Sequence, residues 1–100
     1  MKKIIIFGGG GHAKIIQDCI QLIRNYKVAG FIDKKNYDSS LSKKMKYLGT
    51  AKNLNQIIKG QNLQNILGVV AIGSNITRKE IVLEVKKINN SFKWANIIHP

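Results

Sequence analysis

One hundred residues carry 17 Lys or Arg against 5 Asp or Glu, a formal net charge of +12, with 44% hydrophobic residues, one Cys and one Pro. For these residues one compact domain is the expectation, and the composition excludes a collagen-like or disordered polymer and a multi-helix membrane protein. At 11.2 kDa a folded domain hides roughly 65% of its unfolded surface, enough for a modest core without staples.

The chain opens with an apolar run, Lys3 to Phe7, whose β-branched and aromatic residues predict a strand buried on both faces. Gly8-Gly9-Gly10-Gly11 follows. From Ala13 to Tyr26 apolar residues recur at Ile16, Cys19, Ile20, Ile23 and Tyr26, a helical spacing. Val28 to Ile32 is a second strand, ending at Asp33. Lys34 to Lys46 is polar and rich in Lys and Ser, an exposed loop before a short third strand near Met45 to Leu48. Thr50 is placed to cap a helix reaching about Lys59, with Gly60 as its left-handed terminator. Asn65 to Ile72 is the most apolar strand and ends at Gly73; Ile81, Val82, Val85 and Ile88 then line one face of a helix whose last turns carry Lys86 and Lys87. Phe92 to Ile98 makes a final strand. This alternation implies right-handed crossovers and one α/β, Rossmann-like domain, a parallel sheet with helices on both faces and strand order 3-2-1-4-5.

In such a sheet ligands bind beyond the carboxyl ends of the strands, where strand order reverses, here between strands 1 and 4. Three features converge there. Gly8-x-Gly10-x-x-Ala13 follows strand 1 and opens a helix, the context of a nucleotide-binding loop, in which glycines let the backbone approach a diphosphate and the helix N-terminus attracts its charge. The plain alternative is a tight turn without a ligand. Asp33, 22 residues after Gly11, ends strand 2 at a spacing suited to a nucleotide ribose or a base N–H, or else it forms a turn, with Lys34 and Lys35 beside it facing phosphate or water. Gly73-Ser74-Asn75 with Arg78 joins strand 4 to its helix; Gly73 permits close approach, and Ser74 or Asn75 is able to cap the helix while offering polar groups to a ligand. Thr77 and Glu80 form a competing capping box.

His12, in the first helical turn, is favoured as a ligand contact over a general base, since no second group orients it. Cys19 falls on the apolar face as a packed thiol, and with His12 and His99 it has no metal-ligand spacing. Trp94, Tyr37 and Tyr47 are too scattered for a stacking platform.

The charge invites a polyanion partner, yet 15 Lys, 17 Ile and 10 Asn against 2 Arg is the skew of an A/T-rich coding sequence, and the lysines run from Lys2 to Lys93 without a block. Nucleic acid is therefore disfavoured. A lone thiol fits a reducing compartment; the apolar run after Met1-Lys2-Lys3 is too short for a signal peptide, and no stretch reaches membrane-spanning length. The expected location is the cytoplasm.

Ile5-Ile6-Phe7-Gly8-Gly9-Gly10-Gly11-His12-Ala13-Lys14, Gly30-Phe31-Ile32-Asp33, Leu48-Gly49, Ala71-Ile72-Gly73-Ser74-Asn75 with Arg78, and Ile97-Ile98-His99-Pro100 together resemble the N-terminal domain of the sialic acid O-acetyltransferase (NeuD-type) family. That family includes bacterial N-acetyltransferases of UDP-linked 4-amino sugars. The resemblance spans essentially residues 1–100 and implies a nucleotide-sugar-binding N-terminal domain. It implies that Gly10, Gly11 and His12 match the substrate loop, Asp33 and Lys34 the pair ending strand 2, and Gly73 the glycine after strand 4. Many relatives carry a second acid where Lys34 stands. Relatives continue beyond Ile-His-Pro into a left-handed β-helix that builds their trimer, the pocket for the co-substrate acetyl-CoA and the catalytic histidine. None of that lies in these residues, so the resemblance implies that this chain alone is inactive, binds no cofactor, is monomeric or weakly associated, and contributes no catalytic residue. His99 is then a boundary residue.

The expected ligand is a nucleotide-sugar, a UDP-amino sugar or CMP-sialic acid, held for acetyl-CoA-dependent O- or N-acetylation. Two alternatives share features of the sequence: an NAD(P)-binding Rossmann domain of a dehydrogenase, and a basic module for polyanions. NADH fluorescence tests the first. Steep salt dependence with indifference to Asp33→Ala marks the second.

Overall fold

The computed structural model describes residues 2–8, 11–23, 25–34 and 46–95. The chain forms β1 (Lys2–Phe7), α1 (Gly11–Gln21), β2 (Tyr26–Ile32) and β3 (Tyr47–Gly49). A 3-10 turn (Ala51–Asn53) leads into α2 (Leu54–Ile57), and a second (Leu63–Asn65) into β4 (Ile66–Val70), α3 (Asn75–Ile88) and β5 (Lys93–Trp94). All four strand pairings are parallel and the order is β3-β2-β1-β4-β5, as the alternation predicts.

β1 is the central strand, and its Ile4 to Phe7 are all buried because each side of the sheet is covered. Ile4 and Ile6 join Phe31, Leu67 and Val69 under Ala13 and Ile20 of α1. Ile5 and Phe7 join Ile32 and Ile66 on the opposite face, under Leu54, Ile58, Val85 and Phe92. A run apolar at every position is what two covered faces require. Among the described residues no helix is long and apolar enough to cross a membrane.

The first helix ends five residues before Tyr26, where the apolar spacing had placed its end. Leu22 and Ile23 donate to the carbonyls of Cys19 and Ile20, a tightened last turn, and Asn25 takes a φ of 74° while its carbonyl accepts from Lys2 at 2.7 Å. Asn tolerates that left-handed conformation better than most residues. Tyr26 therefore starts β2 and meets the α1-side core from a strand.

After Thr50 the expected single helix is divided. Asn53 Oδ1 lies 2.9 Å from the Thr50 hydroxyl that donates to it, the 3-10 turn follows, and only Leu54–Ile57 is α-helical. Gly60 does take the left-handed conformation, with φ of 80°. On α3, Ile81, Val85 and Ile88 pack on the core, whereas Val82, one residue and 100° further round, is exposed. Of the expected third and fifth strands, Met45 and residues 96–98 lie outside the described residues.

The β4–β5 edge is closed by aromatic rings. Phe7, Phe92 and Trp94 meet pairwise at centroid distances of 5.8, 5.1 and 5.3 Å in tilted and edge-on geometries. Gly68 makes room for them: a Cβ there would stand 2.5 Å from Phe92 Cε2 and 2.9 Å from the Trp94 ring.

Candidate functional site

β1 ends at Phe7 and the parallel ladder continues one step further on both sides. Gly8 N–H donates to the Ile32 carbonyl at 2.7 Å, and the Phe7 carbonyl accepts from Ala71 N–H at 2.9 Å. These bonds hold the first residue of the glycine loop between the ends of β2 and β4. Gly8 has φ of 117°, and a Cβ would stand 3.0 Å from Ile72 Cγ1 and 3.1 Å from the Ala71 carbonyl oxygen. Glycine is needed here for both reasons.

Gly10 lies outside the described residues; Gly11 and His12 are the first two residues of α1. Neither α1 nor α3 carries an acidic residue in its own first turn, so neither helix neutralises its positive end from within. Ala13 is fully buried beneath the sheet.

Asp33 is half-buried just past β2. Its N–H donates to the Gly49 carbonyl at 3.2 Å, its Oδ1 accepts from Lys34 N–H at 2.6 Å, and its carbonyl accepts from the Tyr47 hydroxyl at 3.1 Å. Lys34 itself is exposed. Because Gly8 bonds to Ile32, the residue before Asp33, Gly8 and Asp33 lie at the same end of the sheet.

The third segment reaches the same end through Ala71 and Ile72. Gly73 is exposed, and Ser74 caps α3, its Oγ accepting from Thr77 N–H at 3.3 Å while its carbonyl accepts from Arg78 N–H at 3.0 Å. The helix therefore begins at Asn75, three residues before a Thr77–Glu80 capping box would start it. Asn75 and Arg78 are exposed in the first turn. Gly8 and Asp33 thus directly follow β1 and β2, and Gly73 stands three residues beyond the end of β4, which stops at Val70 and not at the expected Ile72; α1 and α3 begin after the first and the last of them, with Lys34 next to Asp33 and Arg78 in the first turn of α3.

Tyr47 was not expected to take part. Its ring packs on Phe31 at 5.3 Å, and only the assembled sheet brings its hydroxyl to the residue after β2. Cys19 is a half-buried free thiol, and among the described residues no group of three or more His, Cys, Asp or Glu could hold a metal.

The model of the PglD N-terminal domain matches residues 3–85. The chain is 27% identical over all 100 residues to a UDP-N-acetylbacillosamine N-acetyltransferase of Bacillus subtilis (strain 168), covering 44% of that protein. Its fold superposes with a TM-score of 0.74 on the acetyltransferase domain of PglB from Neisseria gonorrhoeae FA1090 in complex with acetyl coenzyme A, at 25% identity, covering 99% of this chain and 44% of that one. The chain therefore spans less than half the length of these relatives. The glycine loop, Asp33 and the Gly73 segment all fall within the matched residues, and the chain belongs to the PglD N-terminal domain family.

Proposed function

We propose that this chain binds the nucleotide-sugar acceptor of a sugar acetyltransferase and orients it for acetyl transfer from acetyl-CoA. The observation that carries this reading is the pair of ladder bonds around Phe7 and Gly8, which hold the start of the glycine loop between the segment leading to Asp33 and the segment leading to Gly73. The diphosphate sits at the N-terminus of α1, where the opening N–H groups and the helix dipole favour negative charge. Asp33 accepts hydrogen bonds from the nucleoside, and the α3 N-terminus with Ser74, Asn75 and Arg78 faces the remaining polar groups of the ligand.

Transfer to a sugar amine forms an N–C bond and breaks the C–S bond of the thioester, the proton lost by the amine being balanced by the one the departing thiolate takes up to leave as free CoA. The part assigned to this chain is orientation: anchoring the nucleotide converts a bimolecular encounter into a positioned one. The names of the relatives, an N-acetyltransferase of a UDP-linked sugar and an acetyltransferase domain bound to acetyl coenzyme A, support a UDP-amino sugar as the acceptor.

Calorimetric titration of the folded 100-residue chain with UDP, a UDP-4-amino sugar, CMP-sialic acid and NADH tests the reading. Saturable heat with the UDP ligands is expected. No heat at millimolar UDP-sugar, or preferential binding of NADH, overturns it.

A further inference from the structure

A cavity lies at the opposite end of the sheet from Gly8 and Asp33. It has a volume of about 370 Å³ and opens between the amino-terminal halves of β1 and β2 and the α2 segment. That is within the range of roughly 300–1,000 Å³ found for small-molecule sites. Its lining combines apolar side chains, among them Ile5, Ala29, Leu48, Ile57 and Ile66, with Gln61 and the exposed lysines Lys3, Lys27 and Lys46.

The register of the central strands creates it. Ile4 pairs with Val28 but Ile5 pairs with Gly30, so Ala29 bulges without a counterpart on β1. A methyl side chain at the bulge leaves the space open. One step earlier Lys3 stands directly opposite Lys27. Paired residues of parallel neighbours share a face, and like charges placed directly opposite destabilise a sheet. The Lys3 ammonium has a neutral partner, Gln61 Oε1 at 3.5 Å. Among the described residues no acidic side chain and no aromatic ring lines the cavity.

We propose that this cavity is a binding site for a small amphipathic carboxylate, with its anionic head between Lys3, Lys27 and Lys46 and an aliphatic tail on the apolar half of the lining. An anionic head relieves the Lys3–Lys27 repulsion. A bare anion leaves the apolar half of the lining unused, and a nucleic acid needs stacking surfaces that this lining does not offer.

The test is an NMR titration of the 100-residue chain with sodium octanoate below its micellar range. Saturable shifts are expected at the methyl groups of Ile5, Ile57 and Ile66 and at the amides of Lys3 and Lys27. Affinity should rise about fourfold per added methylene from butyrate to octanoate, the gain for burying one CH₂. Uncharged 1-octanol should bind at least tenfold more weakly, and the exposed-site variants Lys27→Ala and Lys46→Ala should each weaken octanoate several-fold without changing the spectrum of the free fold. Ala29→Leu, which fills the cavity and keeps all three lysines, should abolish binding. Equal affinity for octanol, equal affinity for butyrate, or shifts centred on Gly8, Asp33 and Ser74 would each overturn the proposal.

Discussion

The Tyr47 hydroxyl on β3 donates a hydrogen bond to the backbone carbonyl of Asp33, at 3.1 Å. Together with the bond from Asp33 N–H to the Gly49 carbonyl, it ties the residue after β2 to the neighbouring edge strand. Tyr47→Phe keeps the ring on Phe31 and removes only the hydroxyl. We expect a stability loss of about 0.5–1.5 kcal/mol in urea unfolding, and a several-fold weakening of UDP-sugar binding caused by a less firmly held Asp33. Unchanged affinity in the folded variant would show that Tyr47 serves the fold alone.

Asp33→Asn retains an acceptor for Lys34 N–H and deletes the charge. It should weaken UDP-sugar binding at least tenfold, a change of about 1.4 kcal/mol in binding free energy by calorimetry. Indifference to this variant, combined with affinity that collapses on adding salt, would instead favour a general polyanion site.

Gly8→Ala isolates the geometry of the loop entrance. With φ of 117° and the Ala71 carbonyl 3.1 Å from the new methyl, the variant should lose about 1–3 kcal/mol of stability. Chemical denaturation measures this directly. A loss under half a kcal/mol would mean that the β1 end shifts without strain, contrary to the ladder bonds that pin it.

Ser74 has two separable roles. Ser74→Ala removes the α3 cap and should cost about 1 kcal/mol. Ser74→Asp preserves a good cap and suits the helix dipole, yet sets a negative charge beside the proposed anion. The Asp variant should therefore keep wild-type stability while weakening UDP-sugar binding at least fivefold. If both properties stay at wild-type levels, the ligand does not approach α3.

Local patterns were readable wherever one segment determines its own environment. Ile4 to Phe7 announce a doubly covered strand, Asp33 marks a strand end, and Gly60 marks a left-handed turn, whereas β4 stops at Val70, three residues before Gly73. Strand order followed because short connections and handedness leave few arrangements. Relations between segments stayed hidden. Tyr26 continues a helical spacing, but the bond from Lys2 to the Asn25 carbonyl claims it for β2. Nothing in Tyr47 itself indicates Asp33 as its partner. The Ala29 bulge and the lysine-rimmed cavity exist only once β1 and β2 have chosen a register. For the candidate site, Gly8 and Asp33 were legible as the residues that end β1 and β2, whereas the hydrogen bonds that fasten Gly8 to Ile32 and Phe7 to Ala71 belong to the assembled sheet.

The aromatic cluster at the β4–β5 edge gives the molecule a built-in optical gauge. Its lone tryptophan, Trp94, rests 5.1 Å from the Phe7 ring, on the residue immediately before the glycine loop. Emission from that single indole is therefore sensitive to the packing of the loop's root, and needs no attached dye. A nucleotide that displaces the β1 end changes its colour or intensity; one that docks on an already settled end leaves the light as it was.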